Sequence, residues 1–295
     1  MYEAVHCTND FLNNMILIDG KKEAAELRGK LKKEVLALKE KYNKVPGLTV
    51  ILIGDMTPSQ IYVRNKEKSA NEIGLNSEVI RYPETVDEKT VLQKINELNN
   101  DDSVSGILVQ LPLPKHINKQ KIIESISHEK DVDGLHPINV GNLSSGYQGS
   151  IPCTPLGCYL LIKKIEPNLT GKKAVMIGRS NLNGKAMAQL LLQEDCTVTI
   201  THSKTKDLKS ECLAADVIVA AVGIKQLVKG DWVKKDAIVI DVGINKTDKG
   251  IVGDVAFDEV SKVAKALTPV PGGVGPMTIA CLLKNTIECF KRKMN

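Results

Sequence analysis

The first half of the chain alternates short apolar runs with longer stretches whose apolar residues recur at helical spacing. The apolar runs predict strands over 48–53 and 104–109, and 77–82 is predicted to be a further short strand. The longer stretches predict helices over 21–43, 57–74 and 86–98. Continuous apolar runs are typical of strands buried on both faces, so this order predicts a parallel sheet covered by helices.

A second series of the same kind follows an irregular passage, 131–155, which is rich in Gly, Ser and Pro. Its predicted helices cover 156–165, 185–193 and 277–293, and its predicted strands cover 173–177, 197–201, 217–221 and 238–241. The irregular passage is the best interdomain boundary. The chain is therefore predicted to be an α/β protein with two domains, 1–150 and 151–295.

Local signals mark where two of the predicted helices begin and where one ends. Thr57 is a predicted N-cap, Pro58 fits the first helical position, and Gln60 completes a capping box. Gly74 is a predicted left-handed stop for the same helix. Thr85 is predicted to open the next helix, with an acidic residue three positions later.

Organised sequence begins at Ile16, directly after Met15. Residues 1–15 lack the basic start and the long apolar core of a secretory signal. We therefore expect residues 1–14 to be an extension ahead of the fold, dispensable for stability and activity.

The amino-acid composition mainly excludes certain classes of protein and of binding partner. The 295 residues are 42% hydrophobic and 25% charged, as in an ordinary soluble globular protein. No apolar run reaches the ~18 residues of a membrane span, and 3% aromatic residues are too few for a platform that stacks nucleic-acid bases. A net charge of +5 suits small anionic ligands, so we expect neither a membrane nor a nucleic acid as partner.

The cysteines indicate the cellular compartment of the protein, and the histidines show whether a metal site is expected. The seven cysteines are odd in number and show no zinc-ribbon or thioredoxin spacing, which indicates reduced thiols and a cytoplasmic protein. The five histidines form no cluster of metal-ligand spacing, so no metal site is expected.

Tyr62 and Lys66 lie four residues apart and therefore share one face of their predicted helix. The helix follows a buried strand, which places this face near the carboxyl end of a sheet, where α/β proteins usually bind ligands. A lysine in a partly apolar cleft has a lowered pKa and can exchange protons near neutrality. The alternative is a solvated lysine, one of many on this lysine-rich chain.

Three further features suit a binding cleft. Gln110 stands at a strand end, because the prolines that follow it forbid further pairing. Asp133, before Gly134, is either a turn residue or an acceptor for a heterocycle with ring N–H and amino donors. The Gly- and Pro-rich stretch 271–276 offers a loop lined by main chain that leads into the last helix.

The stretch from Gly178 to Gly184 joins a predicted strand to a predicted helix, as in a dinucleotide site. Its spacing is not G-x-G-x-x-G, so a plain βαβ unit stays open as the alternative. The next strand ends in Thr-His-Ser-Lys at 201–204, without the acidic residue that holds a ribose 2′-hydroxyl. Arg179 would supply a fork to a 2′-phosphate, which favours NADP over NAD, unless it is merely a surface arginine.

Seven segments in this order resemble the bifunctional methylenetetrahydrofolate dehydrogenase/methenyltetrahydrofolate cyclohydrolase family, and the resemblance covers residues 16–293. The segments are Tyr62-Val-Arg-Asn-Lys66, Val109-Gln-Leu-Pro-Leu-Pro114, Lys130-Asp-Val-Asp-Gly134, Pro152-Cys-Thr-Pro-Leu-Gly157, Gly178-Arg-Ser180, Asp241-Val-Gly-Ile-Asn245 and Pro271-Gly-Gly-Val-Gly-Pro-Met-Thr278. Each is modest alone, but seven in the right order are highly specific.

The resemblance implies roles for residues on the folate side. Lys66 is similar to the family's cyclohydrolase lysine, which assists water attack on the methenyl carbon, and Gln110 to the side chain that supports it. Tyr62 matches the residue that packs on the folate, and Asp133 the carboxylate that holds the pterin. These four form the implied catalytic set. The other implied folate contacts are Val63, Arg64, Asn65, Val109, Leu111, Pro271, Gly272, Gly273, Val274 and Gly275.

The resemblance also implies an NADP site in the second half of the chain. Two positions in this half of the chain depart from the family pattern: Asn183 stands where valine is usual, and Ala186 where proline is usual. We expect these changes to loosen the turn and weaken the hold on NADP. The implied cofactor contacts are Gly178, Arg179, Ser180, Ser203 and Ile244, with Thr154 and Thr278 near the nicotinamide.

The family fold is two α/β domains that flank a cleft, the second Rossmann-like, with the last helix returning to the first domain, usually in a homodimer. The implied activity is oxidation of 5,10-methylenetetrahydrofolate with NADP, followed by hydrolysis to 10-formyltetrahydrofolate. Short-chain dehydrogenases also carry Tyr-x-x-x-Lys, but after their glycine-rich turn, whereas Lys66 precedes Gly178. A second alternative, a regulatory binding protein without catalysis, would be separated by a turnover assay.

Overall fold

The computed structural model describes residues 15–248 and 250–294, so the expected extension 1–14 lies outside the described part. The strands are β1 (Ile16–Leu17), β2 (Gly47–Ile53), β3 (Asn76–Tyr82), β4 (Gly106–Val109), β5 (Lys173–Ile177), β6 (Thr197–Thr201), β7 (Val217–Ala220), β8 (Ile238–Asp241), β9 (Asn245–Thr247), β10 (Gly250–Val252) and β11 (Ala266–Leu267). The α-helices are α1 (Gly20–Tyr42), α2 (Thr57–Ile73), α3 (Glu88–Asn100), α4 (Lys119–Ser125), α5 (Pro137–Ser145), α6 (Cys153–Ile165), α7 (Gly184–Gln193), α8 (Leu208–Leu213), α9 (Phe257–Val260) and α10 (Val274–Met294). A short 3-10 helix covers Gly230–Trp232.

The first sheet consists of three parallel strands in the order β3-β2-β4. Val50 in the centre of β2 is level with Val79 of β3 and Leu108 of β4. Every residue of β2 is buried, as its continuous apolar run predicted. The parallel arrangement is confirmed, and it brings the carboxyl ends of β2 and β4 to the same edge, where α2 and Gln110 follow them.

The second sheet has six parallel strands in the order β1-β11-β8-β7-β5-β6, and it confirms the Rossmann-like half of the prediction. The four predicted strands of this half are β5, β6, β7 and β8. β1 and β11 were missed because two-residue strands are too short to show a pattern. Since β1 pairs with β11, the start of the described chain joins this sheet, and the division at residue 150 stays a prediction.

The last helix connects the two sheets. α10 packs against α6 and α1 and also contacts α2, β2 and β4. Gly157 of α6 permits this approach, since a Cβ there would lie 2.9 Å from the Cβ of Met277. α10 begins at Val274 rather than at the predicted 277, because proline is tolerated in the first helical turn. Within the described ranges, no helix is both long and apolar enough to cross a lipid bilayer.

Two predicted helix caps are wrong. α2 follows Met56, which contributes no side-chain cap, and Thr57 lies inside its first turn. The side chain of Gln60 bonds to an aspartate in the preceding loop instead of closing a capping box. α3 is capped by the carboxylate of Asp87 rather than by Thr85, since a charged oxygen beside free N–H groups is a stronger acceptor than a hydroxyl.

Other signals near the first domain had mixed outcomes. Gly74 ends α2 in the left-handed region with φ 88°, which confirms the predicted stop. The passage 131–155 is not irregular throughout, because it contains α5. His136 caps this helix through its side chain, and Pro137 occupies its first position. These two residues were signals for a helix start, but the glycine and serine content of the passage led to the prediction of an irregular segment.

Candidate active site

Lys66 lies on the buried face of α2, next to the residue that follows β4. Its Nζ donates to Oε1 of Gln110 at 2.9 Å. Nε2 of Gln110 donates to the carbonyl of Leu111 at 2.7 Å, which fixes the amide with its oxygen toward the lysine. Lys66 is 9% exposed, so the alternative of a solvated lysine is wrong.

Burial sets the protonation of the groups around this lysine. Removal from water lowers the pKa of Lys66, and the charge of Asp133 partly opposes that change. Burial raises the pKa of Asp133, against the pull of the lysine. Burial also raises the pKa of the Cys153 thiol, which keeps it neutral. Lys66 is therefore a base whose uncharged form is accessible at a lower pH than that of a lysine in water.

Within the segment Lys130–Gly134, one carboxylate is held by hydrogen bonds and the other interacts electrostatically with Lys66. The buried Asp131 accepts the N–H of Gly134 at 3.0 Å, the N–H of His136 at 2.8 Å and a side-chain amide of α5 at 2.9 Å. Nζ of Lys130 donates to two carbonyls at the end of α3, at 2.8 and 2.7 Å. These two anchors fix the segment that carries Asp133, whose charge interacts with that of Lys66.

Asn285 on α10 is a site residue that the sequence prediction missed. It is 4% exposed, and its Nδ2 donates to the carbonyls of Val132 and Ile151, both at 2.8 Å. Sγ of Cys153 donates to the same Val132 carbonyl at 3.2 Å. The last helix thus holds the segment before Asp133 against the start of α6. A lone amide within an apolar helix was the available signal, since buried polar groups need partners.

The other implied folate contacts differ in exposure. Tyr62 is 38% exposed one helical turn before Lys66, so a flat ligand has access to its ring. Arg64 and Asn65 are exposed on α2. Val63 is fully buried in the core, so its side chain packs inside the protein and does not face the cleft. Val109 is also a core residue, which leaves its main chain available, and Leu111 is partly buried.

Two threonines join the starts of α6 and α10. Oγ1 of Thr154 and Oγ1 of Thr278 are 3.1 Å apart, and both residues are partly exposed. Thr154 directly follows Cys153, whose thiol donates to the carbonyl of Val132, the residue before Asp133, so this pair adjoins the lysine cluster. The pair links the first turn of α6 to the second turn of α10, and the partial positive charge at a helix start favours an electron-rich group of a ligand nearby.

The loop 271–275 lies on the first turn of α1. The N–H of Lys21 donates to the carbonyl of Gly272 at 3.1 Å, and a Cβ at Gly20 would lie 1.7 Å from the carbonyl oxygen of Gly273. Pro271 is exposed, whereas Val274 packs in the core. Gly275 is partly exposed in the first turn of α10. The predicted loop leading into a helix start is confirmed, but the loop ends at Gly273, since α10 already begins at Val274.

The turn after β5 is shaped by glycine. Gly178 has φ 114°, and a Cβ there would lie 2.6 Å from the carbonyl oxygen of Ala221. A Cβ at Gly184 would lie 2.2 Å from the carbonyl oxygen of Gly178. The main chain therefore passes close to the N-terminus of α7, as a pyrophosphate site requires.

The polar side chains beyond this turn are on the surface. Arg179, Ser180 and Ser203 are exposed, and Ile244 is 54% exposed although it is apolar. In the described part of the chain, Arg179 makes no hydrogen bond or ion pair. This exposure is compatible with an ordinary surface arginine and also with an arginine that is available to bind a phosphate.

The two departures from the family pattern behave differently. Ala186 is buried and packs with Leu143 and Leu190, so the expected loosening has no support there. Oδ1 of Asn183 is buried without a partner among the described residues, which costs about 1–3 kcal/mol for an unmade hydrogen bond. Its N–H still donates to Oγ of Ser180 at 3.2 Å.

These features fit NADP. The turn leaves no room for a Cβ at Gly178 and Gly184, so its main chain can approach a ligand closely. Together with the free N–H groups at the start of α7, it would hold the pyrophosphate. Arg179 and Ser203 would hold the 2′-phosphate, since charged and hydroxyl donors suit a dianion. The exposed apolar side chain of Ile244 would cover a ring.

Comparisons with known proteins agree with this geometry. Residues 18–133 match the family described as tetrahydrofolate dehydrogenase/cyclohydrolase, catalytic domain. Residues 152–294 match the family described as tetrahydrofolate dehydrogenase/cyclohydrolase, NAD(P)-binding domain. The two matches lie on either side of α5.

Individual relatives are similar over almost the whole chain. The bifunctional protein FolD of Pelagibacter ubique (strain HTCC1062) is 82% identical over 278 residues, which cover 94% of this chain and 99% of the relative. The crystal structure of the bifunctional enzyme FolD from Campylobacter jejuni has a TM-score of 0.92 at 51% identity, covering 95% of this chain and 99% of that chain. The Trypanosoma brucei N5,N10-methylenetetrahydrofolate dehydrogenase-cyclohydrolase, solved with NADP and an inhibitor, has a TM-score of 0.90 at 38% identity, covering 95% and 99%.

Proposed function

The chain belongs to the tetrahydrofolate dehydrogenase/cyclohydrolase family, and we propose on that premise that the cluster around Lys66 serves both of the family's reactions in one cleft. The protein oxidises 5,10-methylenetetrahydrofolate to the methenyl form with NADP and hydrolyses that product to 10-formyltetrahydrofolate. The observation that carries the residue assignment is a buried lysine of lowered pKa, held by Gln110 beside Asp133.

In the hydrolysis, Lys66 acts as the base. Water adds to the methenyl carbon, and uncharged Lys66 takes the proton that the water loses. The bond from this carbon to N5 then breaks, N5 takes a proton from the Lys66 ammonium, and the proton of the remaining hydroxyl is released. Gln110 keeps Nζ in place because its own amide is fixed by the Leu111 carbonyl.

In the oxidation, the chain supplies position rather than chemistry. Bound NADP supplies the oxidised ring that accepts the hydride. Tyr62 packs on the folate and Asp133 accepts hydrogen bonds from its pterin, which places the methylene carbon in the cleft. Thr154 and Thr278 fix the starts of α6 and α10 where the nicotinamide would lie, and such positioning accounts for much of the rate in hydride transfer.

The alternative, a folate- or nucleotide-binding protein without catalysis, has one observation in its favour. Asn183 leaves a buried acceptor unpaired in the cofactor turn. The complete set of Lys66, Gln110 and Asp133 argues against it, because a protein that only binds has no need of a base with a lowered pKa.

A substitution at Lys66 tests the proposal. Lys66→Met removes the base and keeps the apolar stem, so methenyltetrahydrofolate hydrolysis should fall about a hundredfold or more, in the range typical for a lost general base. Substantial NADP reduction should remain, because hydride transfer needs no base. The matched control is Lys68→Met on the same helix, whose side chain is 75% exposed, and which should keep both activities.

Normal hydrolysis in Lys66→Met would contradict the assignment of the base. Loss of both activities at an unchanged melting temperature would instead assign Lys66 to the oxidation as well. The two rates are measured separately, by decay of methenyltetrahydrofolate absorbance without cofactor and by formation of NADPH.

We also propose that the protein is a homodimer joined through the second sheet. β6 is an edge strand with one unpaired side, and Ile200 on it is 40% exposed; Leu192 at the end of α7, the helix before β6, is 55% exposed. Light scattering should give twice the chain mass for the wild type and the chain mass for Ile200→Lys. Leu36→Lys on α1, where the leucine is 53% exposed, is the control that should stay dimeric.

A cytoplasmic location is the last part of this proposal. The six cysteines of the described part of the chain are all buried free thiols, which suits a reducing compartment. Fractionation of cells that produce the protein should recover both activities with the cytoplasmic fraction.

A further inference from the structure

Two buried carboxylates lie side by side where the strands of the second sheet end, and the reactions above do not use them. Asp241 ends β8 and is 3% exposed, and Asp254 is 0% exposed. Oδ1 of Asp241 accepts the N–H of Gly243 and the N–H of Asp254, both at 2.9 Å. Its Oδ2 accepts the N–H of Val255, also at 2.9 Å.

Asp254 links two more loops to this arrangement. Its Oδ2 accepts the N–H groups of Val222 and Gly223, at 2.7 and 2.9 Å, in the loop after β7. Its Oδ1 accepts Nδ2 of Asn245 at 2.9 Å, at the end of the loop after β8. One carboxylate therefore fixes the loops that follow two neighbouring strands.

The carboxylates lie directly against the main chain. A Cβ at Gly253 would lie 1.8 Å from Oδ2 of Asp241, and a Cβ at Gly243 would lie 2.2 Å from Oδ1 of Asp254. Burial, aided by the charge of Asp254, raises the pKa of Asp241 to about 6. Among the described residues, neither carboxylate has a Lys or Arg partner, so amide donors alone compensate the two charges.

Such a pair is costly to bury, and the loops that it holds carry or adjoin residues that the proposed function assigns to the cofactor. Ile244 lies between two anchored positions, since the Gly243 N–H binds Asp241 and the Asn245 side chain binds Asp254. The loop after β7 begins at Ala221, whose carbonyl limits the space at Gly178.

We propose that Asp254, supported by Asp241, is a positioning residue for NADP. It holds the loop 221–223 and the loop that carries Ile244 in the geometry that receives the cofactor, without touching the cofactor itself. The inference rests on the proposed function, because that function assigns Gly178 and Ile244 to the cofactor. The hydrolysis at Lys66 uses no NADP, so it should be independent of this pair.

The test is Asp254→Asn, which keeps the size of the side chain but replaces one acceptor oxygen by an NH₂ group. That group would face N–H donors, so at least one loop loses its anchor. We expect the Kd for NADP, measured by calorimetry without folate, to rise tenfold or more. The KM for NADP should rise in parallel, while kcat at saturating NADP and the rate of methenyltetrahydrofolate hydrolysis stay within about threefold.

Two further variants keep the result interpretable. Asn245→Ala removes only the hydrogen bond from the Asn245 side chain to Asp254. It should raise the Kd for NADP about threefold to tenfold at an almost unchanged melting temperature. Asp216→Asn is the matched control, since Oδ2 of Asp216 also accepts an N–H, that of Lys173 at 2.9 Å, but at the opposite end of the same sheet. NADP binding should be unchanged in this control.

Wild-type NADP affinity in folded Asp254→Asn would overturn the inference and leave the proposed function intact. Joint loss of hydrolysis and NADP binding in both Asp254→Asn and Asn245→Ala would also overturn it, because the pair would then be a general folding element. Failure of the wild type itself to bind NADP would show instead that the proposed cofactor assignment is at fault.

Discussion

The two sides of the cleft, one proposed to bind the folate and the other the cofactor, are built in opposite ways. On the folate side, Lys66 is buried, hydrogen-bonded to Gln110 and electrostatically linked to Asp133. On the cofactor side, Arg179 and Ser203 are exposed, and what is fixed there is the main chain of the turn and its neighbouring loops. On the first side the side chains are preorganised, whereas on the second side it is the main chain that is preorganised.

The difference follows from what each side has to do. A lysine becomes a base near neutrality only where water is excluded, so its neighbours must be in place before the substrate arrives. A phosphate brings its own charge, and an exposed arginine can bind it without any prior desolvation. Substitutions on the two sides should therefore separate the two activities.

The largest effect on the cofactor side should come from the backbone. Gly178→Ala would place a Cβ 2.6 Å from the carbonyl of Ala221, at a φ of 114° that other residues rarely adopt. We expect the Kd for NADP to rise by at least about a hundredfold, since strain and displacement of the turn together exceed 2.7 kcal/mol. Hydrolysis of methenyltetrahydrofolate should continue at nearly the wild-type rate.

A matched glycine makes this prediction sharper. Gly29 lies in the middle of α1 with nothing near the position of a Cβ, so Gly29→Ala should leave NADP binding unchanged and raise the stability by about 0.5–1 kcal/mol. Tight NADP binding by Gly178→Ala would mean that the backbone of the turn is not what the cofactor needs.

A smaller effect is expected from the free arginine. Arg179→Ala should raise the KM for NADP by roughly tenfold to a hundredfold, the equivalent of one charge-assisted hydrogen bond. The KM for NAD should change little, because NAD has no 2′-phosphate. Arg179→Lys keeps the positive charge but loses the two-pronged guanidinium, so its KM for NADP should lie between those of the wild type and Arg179→Ala. Equal losses with NADP and NAD would assign Arg179 to the shared part of the cofactor.

The smallest effect concerns the pH dependence of hydrolysis. Because the charge of Asp133 raises the pKa of Lys66, Asp133→Asn should lower that pKa further. The uncharged amine then appears at lower pH, so the rising limb of the rate at saturating folate should move to lower pH. Gln110→Glu adds a negative charge beside Nζ and should move the limb to higher pH. An unmoved limb in both variants would mean that Lys66 is not the group that titrates.

Apolar patterning was a reliable guide to the long elements and a poor one to their ends. β2, β5, β7 and β8 were predicted within one or two residues, because continuous apolar runs leave a strand in a parallel sheet few alternatives. β6 was predicted equally well, although its sequence alternates threonine with apolar residues. The caps at Thr57 and Thr85 were wrong, since Met56 and Asp87 occupy those positions. Capping depends on which acceptor the incoming chain brings to the helix end, and the flanking fold decides that.

By itself, the sequence determined the α/β class, the parallel sheets, the pairing of Tyr62 with Lys66 on one helix face and the family, because these depend on local periodicity and on motifs in order. Only the tertiary structure decided that Lys66 is buried against Gln110, that its charge interacts with that of Asp133, and that Asp131 instead accepts main-chain and amide donors. It also decided that Asn285 fastens the segment before Asp133 and that Asp254 holds two distant loops. These contacts join residues far apart in the chain, so the burial that shifts a pKa or makes an amide indispensable exists only once the helices and sheets have packed.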